Sequence, residues 1–456
     1  MPLLLGVVGS EGKHNEAYFA SAWRTGGIWY GDKRNSNVVM DSQNNFIFTS
    51  LWNASSSCKY NIYKVNLYGQ TLWKKRFVID NYSGTNSLVG PNYVACDKDD
   101  NYYAFYNYRK TNVSPAILTT VLAKHDKDGN VVWAKSFILS SSTNQISSSL
   151  ATDSVGNIVA TLTNTFNSTT SLHIFKLNSS GDVLWKKAYS NVFVDASTLL
   201  RINADDEYIL SSPSSNNSYM KLNNNGDILS VKYTSGTGGR YCGSDNLNNS
   251  YYIYNNVTYG LTLAKFNESN QLSWSTTLKN SNNNTLFYSY SVENDSNNNA
   301  YVVLFTYVPS TLITIVVVFK IDSSGQIVWK KQIKKTSSSA GGIEIYNLVK
   351  NTINVSKSSL IVPLIFEHPQ YSKYPMWVSM PLDGNCNGNY VIDLSGVSVE
   401  FTILDDTYFI TNTPPSVTLS NGTSPTVSTS SIAVNSYNMT VSDDTEIALN
   451  TVKINS

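Results

Sequence analysis

The stretch Asp322-Ser-Ser-Gly-Gln-Ile-Val-Trp-Lys-Lys331 decides the fold of this chain, because its pattern returns along the sequence. Close copies are Asn178-Ser-Ser-Gly-Asp-Val-Leu-Trp-Lys-Lys187, Asp126-Lys-Asp-Gly-Asn-Val-Val-Trp-Ala-Lys135 and Asn66-Leu-Tyr-Gly-Gln-Thr-Leu-Trp-Lys-Lys75. Two weaker copies have Ser230 in the Trp position and Asn270 in the Gly position. In every copy the turn residue precedes the Trp position by four residues, so the chain contains internal repeats.

The spacing of these copies gives the size of the repeated unit, which averages about 51 residues. A second polar turn led by Asp lies upstream of each copy, as in Asp153-Ser-Val-Gly-Asn157, and apolar or aromatic residues follow it. Asp, Asn and Gly suit tight turns because they tolerate positive φ or accept hydrogen bonds from the local backbone. Each unit therefore contains four predicted strands that are joined by short turns.

Four-stranded antiparallel units repeated at this spacing predict an all-β β-propeller. Six complete units lie between residues 36 and 335, and a degenerate seventh unit follows. Half-units at 397–410 and 17–30 are expected to join as an eighth blade, so that N- and C-terminal strands close the ring. We therefore predict eight blades, with seven as the alternative in which one half-unit lies outside the ring.

The same pattern divides the chain into three parts. Residues 1–15 form an N-terminal arm, residues 16–412 form the β-propeller, and residues 413–456 form a Ser/Thr-rich C-terminal appendage. The appendage carries few charges and alternates only weakly, so we expect it to order against a neighbour or to stay flexible.

The repeated Trp is interpreted as a packing residue between blades. The Lys that follows it is expected on the outermost strand, where Lys protects an exposed sheet edge from pairing with another chain. The structural repeat residues are Gly69, Trp73, Gly129, Trp133, Gly181, Trp185, Trp274, Gly325 and Trp329.

Composition limits the classes of partner. The formal net charge is +1, and charged residues make up 14% of the chain, against about 25% in typical domains. Such a chain has no broad field to attract nucleic acid or an anionic membrane, so we expect neither as a partner. The most apolar run, residues 311–319, is about half the length of a membrane helix, and the N-terminal apolar run has no preceding basic residue, which argues against a signal peptide.

The sequence offers little chemistry for catalysis. The four Cys and four His are scattered, and none lies at metal-ligand spacing from another. The turns at 97–101 and 126–130 resemble the start of a calcium loop but lack its twelfth-position Glu, so they are interpreted as hairpin turns. We predict no catalytic residue, metal or cofactor, and therefore no enzyme. A quinoprotein-like or hydrolytic enzyme is the enzymatic alternative, and it would need ionisable residues clustered near the central channel.

Aromatic residues are the candidates for surface contacts, because the chain has 30 Tyr and 9 Trp. Loops between strands are where binding residues are usually found. The possible contact residues are Tyr251, Tyr254, Tyr288, Tyr290, Tyr371 and Tyr374.

The repeat resembles that of bacterial and viral beta-propeller repeat (SBBP-like) surface proteins, on the strength of Asp-Ser-Val-Gly-Asn-Ile-Val at 153–159 and the copy ending at Lys187. Similar repeats occur in virion proteins of tailed bacteriophages, notably those that infect cyanobacteria. The resemblance covers residues 36–335 well and 336–412 poorly.

This resemblance implies a non-enzymatic virion structural protein of a tailed phage, associated with the tail or fibre and contacting the host surface. Its location would be the virion, an extracellular particle assembled in the host cytoplasm. Its partners would be other virion proteins, through the N-terminal arm and the C-terminal appendage, and a host-surface glycan. The alternative function is a secreted or cell-surface carbohydrate-binding propeller.

Overall fold

The computed structural model describes only β-strands and the turns between them. Its described ranges are 18–24, 38–54, 57–66, 71–78, 87–88, 93–110, 117–138, 145–166, 169–190, 199–211, 218–234, 240–256, 260–279, 286–308, 313–335, 353–355, 359–368, 372–394, 397–405, 409–411, 419–421, 426–429, 433–436, 440–443 and 447–452.

Six blades are each built from four antiparallel strands that follow one another in the chain. Blade 1 contains β2 (Val38–Met40), β3 (Phe46–Ala54), β4 (Ser57–Val65) and β5 (Thr71–Val78). Blade 2 contains β7 (Tyr93–Cys96), β8 (Tyr102–Lys110), β9 (Ile117–His125) and β10 (Val131–Ile138), with β6 (Ser87–Leu88) also paired to β8. Blade 3 contains β11 (Gln145–Thr152), β12 (Ile158–Phe166), β13 (Thr169–Leu177) and β14 (Val183–Ser190).

The next three blades repeat this arrangement. Blade 4 contains β15 (Leu199–Ile202), β16 (Tyr208–Ser211), β17 (Ser218–Leu222) and β18 (Ile228–Thr234). Blade 5 contains β19 (Arg240–Ser244), β20 (Ser250–Asn256), β21 (Gly260–Phe266) and β22 (Leu272–Lys279). Blade 6 contains β23 (Leu286–Asn294), β24 (Ala300–Val308), β25 (Ile313–Ile321) and β26 (Ile327–Lys335). The prediction of an all-β propeller with four-stranded antiparallel blades is confirmed.

A composite sheet follows blade 6, and we call it the closing sheet. It contains β27 (Asn354–Val355), β28 (Ser359–His368), β29 (Ser372–Pro381) and, from the start of the chain, β1 (Tyr18–Arg24). The first strand of each blade contacts that of a neighbour, and β27 contacts both β23 and β2. The closing sheet therefore lies between blade 6 and blade 1.

The predicted number of blades is wrong. The structure has six blades of consecutive strands, rather than the eight predicted or the seven of the alternative. The two half-units do not join, because β1 pairs with β29 while β31 (Val397–Asp405) pairs with β26 of blade 6 and with β30 (Gly388–Leu394). Alternating apolar residues indicate a strand but do not say whether it is the first or the last strand of a sheet.

The C-terminal strands run around the outside of the propeller, and we call β31 to β37 the belt. After β31, its strands are β32 (Phe409–Thr411), β33 (Leu419–Asn421), β34 (Thr426–Thr429), β35 (Ala433–Ser436), β36 (Thr440–Asp443) and β37 (Ile447–Val452). They pair in turn with the outer strands of blades 6, 5, 4, 3, 2 and 1 and finally with β1. Each blade thus gains an outer strand, in the reverse of chain order.

The belt has a regular spacing from β33 onward. Its strands begin at residues 419, 426, 433, 440 and 447, so the belt advances one sheet for every seven residues. Seven extended residues reach about 25 Å at most, so each step of the belt from one sheet to the next is no longer than that. Residues 413–456, predicted as an appendage, therefore contribute outer strands to the propeller.

The belt changes the interpretation of the repeated Lys. The outer strands of the blades are not exposed edges, because Lys75, Lys135 and Lys187 lie opposite Asp443, Ser436 and Thr429 of the belt. In blade 6 the described side chains show the contact directly: Lys331 Nζ lies 2.6 Å from Asp405 Oδ1. The backbone at this position is therefore paired with the belt, while the Lys187 side chain contacts Asp227 of the next blade at 2.7 Å.

Candidate functional site

The repeated Trp connects the blade that carries it to the next sheet of the ring. The indole N–H of Trp73 in blade 1 donates to the carbonyl oxygen of Lys127 in blade 2, at 2.9 Å. The same bond joins Trp133 to Ser179, Trp185 to Asn224, Trp274 to Ser323 and Trp329 to Leu382, at 3.0–3.1 Å. The first four acceptors lie in the turn before the outer strand of the next blade, and Leu382 lies in the turn that follows β29 of the closing sheet, so the indole lies between two sheets.

The turn Gly contacts the Trp of the preceding blade, not the Trp four residues later. A Cβ atom on Gly181 would lie 3.0 Å from ring atoms of Trp133, and one on Gly226 would lie 2.8 Å from Trp185. Gly325 stands in the same way against Trp274, and Gly384 against Trp329. Gly69 lies outside the described residues. One repeat therefore supplies the Gly to one interface and the Trp to the next.

We expect Gly181→Ala to lower the free energy of unfolding by about 3 kcal/mol, since it combines a positive φ of 84° with overpacking against Trp133. Gly156→Ala is the matched control, because its φ is 86° and a Cβ there meets nothing within 4 Å. Its expected loss is only the backbone cost, about 1–2 kcal/mol. Equal losses in urea titrations of both variants would contradict the contact between Gly181 and the indole.

A buried ion pair recurs beneath the first turn of the blades. Lys64 Nζ lies 2.8 Å from Asp41 Oδ2, and Lys176 Nζ lies 2.9 Å from Asp153 Oδ2. The corresponding pair in blade 5 is Lys265 with Asp245, at 2.8 Å. In all three pairs the carboxylate side chain is fully buried. Burial of opposite charges is tolerated where hydrogen bonds satisfy the remaining lone pairs.

Asp153 shows how the carboxylate is held. Its Oδ1 accepts the backbone N–H groups of Val155 and Asn157, and its Oδ2 accepts Asn157 Nδ2 at 2.9 Å. Burial raises the pKa of Asp153, but the hydrogen bonds from Asn157 and Lys176 outweigh it and leave the pKa below its usual value. Asp41 and Asp245 have their pKa lowered for the same reasons.

These lowered pKa values predict loss of stability in acid. A carboxyl whose pKa is lower in the folded state stabilises the fold above its unfolded pKa, about 3.9, and loses that contribution as pH falls through the folded pKa. We therefore expect Asp153→Asn to be less stable than the unchanged protein at pH 6, and the difference to shrink below pH 4. Urea titrations across this range measure it, with exposed Asp128→Asn as the control. A difference independent of pH would contradict the ion pair.

A second repeated Lys was not identified from the sequence, because this residue lies upstream of the repeat that contains the turn Gly and the Trp. Lys64, Lys124, Lys176, Lys221, Lys265 and Lys320 all lie two residues before the turn that leads to the outer strand. Aligning the units upstream of the turn reveals the repeated Lys. The acidic partner lies at the first residue of the other turn, so the pairing itself requires the strand register.

Turns of neighbouring blades also bond to one another. The backbone N–H and the hydroxyl of Ser42 in blade 1 donate to the Asp100 carboxylate in blade 2, at 2.8 and 2.7 Å. Ser154 donates in the same way to Asp206, across blades 3 and 4. These bonds join the tips of the blades on the face where the short turns lie, which we call the turn face.

One ion pair crosses a whole blade near the axis. Arg201 of blade 4 lies 2.8 Å from Glu293 of blade 6, and it donates to the Val292 carbonyl oxygen at 3.3 Å. Gly243 of blade 5 lies between them, and a Cβ there would be 4.0 Å from the Arg201 guanidinium carbon. The absence of a side chain at Gly243 leaves room for Arg201 to pass.

The predicted surface tyrosines are distributed differently from the expectation. Tyr251 and Tyr254 are buried in blade 5, so they cannot serve as an exposed platform. Tyr288 and Tyr290 lie in β23 and Tyr374 lies in β29, while Tyr371 is outside the described residues. Successive side chains of a strand point to opposite faces of the sheet. Both faces of this inner strand pack against neighbouring blades, so the side chains of Tyr251 and Tyr254 are kept from solvent.

The turns that resembled calcium loops are occupied by their own hydrogen bonds. Asp126 Oδ1 accepts the backbone N–H groups of Asp128 and Asn130, and Asp97 Oδ1 accepts those of Asp99 and Asn101. In the described part of the chain, no three His, Cys, Asp or Glu residues lie together as a metal site would require. The same residues include no helix long and apolar enough to span a membrane.

Comparisons with known proteins add the following findings. A scan against protein families finds no match, and a search of curated proteins finds none either. Among solved structures, the chain is similar to the Dos1 propeller at 10% identity, with 75% of this chain and 76% of that one covered and a TM-score of 0.40. A Bacteroides caccae protein of unknown function matches at 13% identity, covering 69% and 93%, with a TM-score of 0.37.

Another similar structure is the polysaccharide lyase Uly1, at 9% identity, with 80% of this chain and 97% of that one covered and a TM-score of 0.31. Likenesses of this size carry no argument about function. They also give the resemblance to phage repeat proteins no further support. The propeller architecture rests on the strand pairing of the chain itself.

Proposed function

We propose that this chain is a non-enzymatic structural protein of a tailed-phage virion, associated with the tail or fibre. The observation that carries the proposal is the belt, whose strands cover the outer edge of every blade. A chain exposed on a particle gains when its long blade strands are covered by short outer strands, since long free strand edges recruit other chains. The resemblance of the repeat to virion propellers gives the setting.

The chemistry of the described side chains agrees with a scaffold. The repeated Asp and Lys residues are engaged in ion pairs within the blades, and the turn-face carboxylates accept bonds from neighbouring turns. His125 is fully buried and burial lowers its pKa to about 3, so it is neutral at physiological pH. Such groups hold the propeller together, and a scaffold presents its variable loops to a partner.

Residues 1–15 and the outward edge of the belt are the parts that we assign to contacts with other virion proteins. In the described part of the chain, belt strands β33 to β36 pair on one side only, each with a blade, so their short outer edge is where a strand of a neighbouring virion protein would add. This arrangement would attach the propeller without disturbing its loops.

Mass spectrometry of purified particles tests the proposal. We expect peptides of this chain at a stoichiometry that stays constant through density-gradient purification and nuclease treatment. Absence of the chain from particles would contradict the assignment. A glycan array tests the alternative function. If the chain is absent from particles and binds specific glycans, a secreted or cell-surface carbohydrate-binding propeller is favoured.

A further inference from the structure

The interface between blades 4 and 5 departs from the repeat at two positions. Ser230 of blade 4 replaces the Trp, and Asn270 of blade 5 replaces the Gly that would stand against it. Ser250 of blade 5 occupies the position from which Tyr102 and Tyr208 contact the preceding Trp in blades 2 and 4, at 5.8 and 6.0 Å between ring centroids, and this position also lacks an aromatic ring in blades 3 and 6. All three residues lie around the space that an indole fills elsewhere.

The changes at Ser230 and Asn270 depend on each other. At the other interfaces a Cβ on the Gly would lie 2.8–3.0 Å from the indole of the preceding blade, which excludes any side chain there. Without an indole at Ser230, Asn270 can hold the same turn at a φ of 62°. Its amide is smaller than an indole, and both Ser230 and Asn270 are partly exposed. The interface is therefore less filled near the turn face than the others.

Four tyrosines form the interior of this interface. The ring of Tyr219 in blade 4 lies 5.7 Å from that of Tyr241 and 6.1 Å from that of Tyr252 in blade 5. Tyr254 lies two residues further along the same face of β20, with its ring 6.5 Å from Tyr252. Tyr219 is hydrogen-bonded to the side chain of Ser230, which links the cluster to the less filled region.

Two of the four hydroxyls have no hydrogen-bonding partner among the residues that the structure describes. Tyr219 bonds Ser230, and Tyr241 donates to Ser244 Oγ at 3.2 Å. Tyr252 and Tyr254 are 1% and 5% exposed, and neither hydroxyl has a hydrogen-bonding partner among the described residues. At the interface of blades 1 and 2 the equivalent of Tyr254 is Tyr106, whose hydroxyl lies 3.5 Å from His125 Nε2. Buried hydroxyls are nearly always hydrogen-bonded to protein or to ordered water.

We infer that the interface of blades 4 and 5 binds a small uncharged hydrogen-bonding molecule, which pairs with the hydroxyls of Tyr252 and Tyr254 and enters beside Ser230 and Asn270. Burial raises the pKa of both tyrosines, so both hydroxyls stay protonated and can donate. The walls are mainly aromatic, which suits a ligand with C–H faces. The charge of Arg201, which interacts with Tyr241, is balanced by the carboxylate of Glu293. Ordered water is the smallest member of this class and a polyol is a larger one.

Thermal unfolding of Tyr252→Phe and Tyr254→Phe tests the inference by the sign of the change. If the hydroxyls bind a molecule, each variant unfolds about 1–2 °C lower, as for a lost hydrogen bond in a chain of this length. If they are unpaired, removing them leaves the midpoint unchanged or raises it, which would overturn the inference. Tyr189→Phe is the matched control, since its hydroxyl donates to the Gly226 carbonyl oxygen at 2.6 Å.

A second variant restores the repeat residues at this interface. Ser230→Trp combined with Asn270→Gly supplies the missing indole and its Gly, and we expect it to exclude the molecule. In that background Tyr252→Phe should no longer lower the midpoint. An unchanged effect of Tyr252→Phe in that background would contradict entry beside Ser230.

Crystallography of the unaltered chain identifies the source of the molecule. A single density peak within hydrogen-bonding distance of either hydroxyl indicates water. Extended density, together with a compound released on denaturation and detected by mass spectrometry, indicates a bound solute. Tyrosine hydroxyls without any density beside them would overturn the inference.

Discussion

A chain that ends at residue 412 is expected to be far less stable and to associate through its blades. The deletion removes β33 to β37, which pair with four blades and with β1. Each strand contributes several backbone hydrogen bonds at about 1 kcal/mol net, so a loss of about 5 kcal/mol in unfolding free energy is a conservative expectation. Four outer strands and one side of β1 become unpaired, and such edges template pairing with other chains.

Urea titration and light scattering measure the two consequences. A peptide of residues 413–456 added in trans is the control, and it should reduce association and raise the urea midpoint of the shortened chain. A shortened chain that stays monomeric with the full-length midpoint would show that the belt does not hold the blades.

Trp133→Ala is expected to lower the free energy of unfolding by about 2–4 kcal/mol, within or just below the range for buried aromatic residues because the indole edge is partly exposed. The change removes the packing against Gly181 and leaves the Ser179 carbonyl without its indole donor. Denaturant unfolding measures the loss.

The adjacent Val132 supplies the control for this variant. Its side chain is 56% exposed, so Val132→Ala should cost less than about 0.5 kcal/mol. Similar losses for Trp133→Ala and Val132→Ala would contradict a role of the indole between blades 2 and 3.

The repeat predicted the four-stranded blades but not their number, because a Gly and a Trp four residues apart mark the turn and outer strand of most units. It did not reveal that Gly181 contacts Trp133 of the preceding blade, since sequence spacing within a unit carries no information about contacts between units. The changes at Ser230 and Asn270 do indicate the contact between units. The Trp is missing from one unit, and the Gly is missing from the unit that follows it.

The belt was harder to predict, for a physical reason. From β32 onward its strands are three to six residues long and rich in Ser and Thr, so they show only weak alternation of apolar and polar residues. A signal does exist in the seven-residue spacing of Val427, Val434 and Val441. A seven-residue spacing is not the period of a β-strand. It can be interpreted only once the structure shows that the belt moves from one sheet to the next every seven residues.

The buried tyrosines show a related limit. Tyr251, Tyr252 and Tyr254 follow one another on one strand, and composition alone suggests an aromatic surface. Both faces of an inner strand are covered in a propeller, because each face packs on a neighbouring blade. Position within the blade, rather than residue type, decides which aromatic side chains meet solvent.

Disulfide cross-linking tests most directly whether the belt circles the propeller. Ala188 of blade 3 lies opposite Ser428 of the belt, while Ser442 lies in the strand that pairs with blade 1. In a background with the native cysteines replaced, Ala188→Cys with Ser428→Cys should cross-link within one chain under mild oxidation. Ala188→Cys with Ser442→Cys should not. Equal cross-linking of both pairs, or none with Ser428→Cys, would contradict the order of the belt.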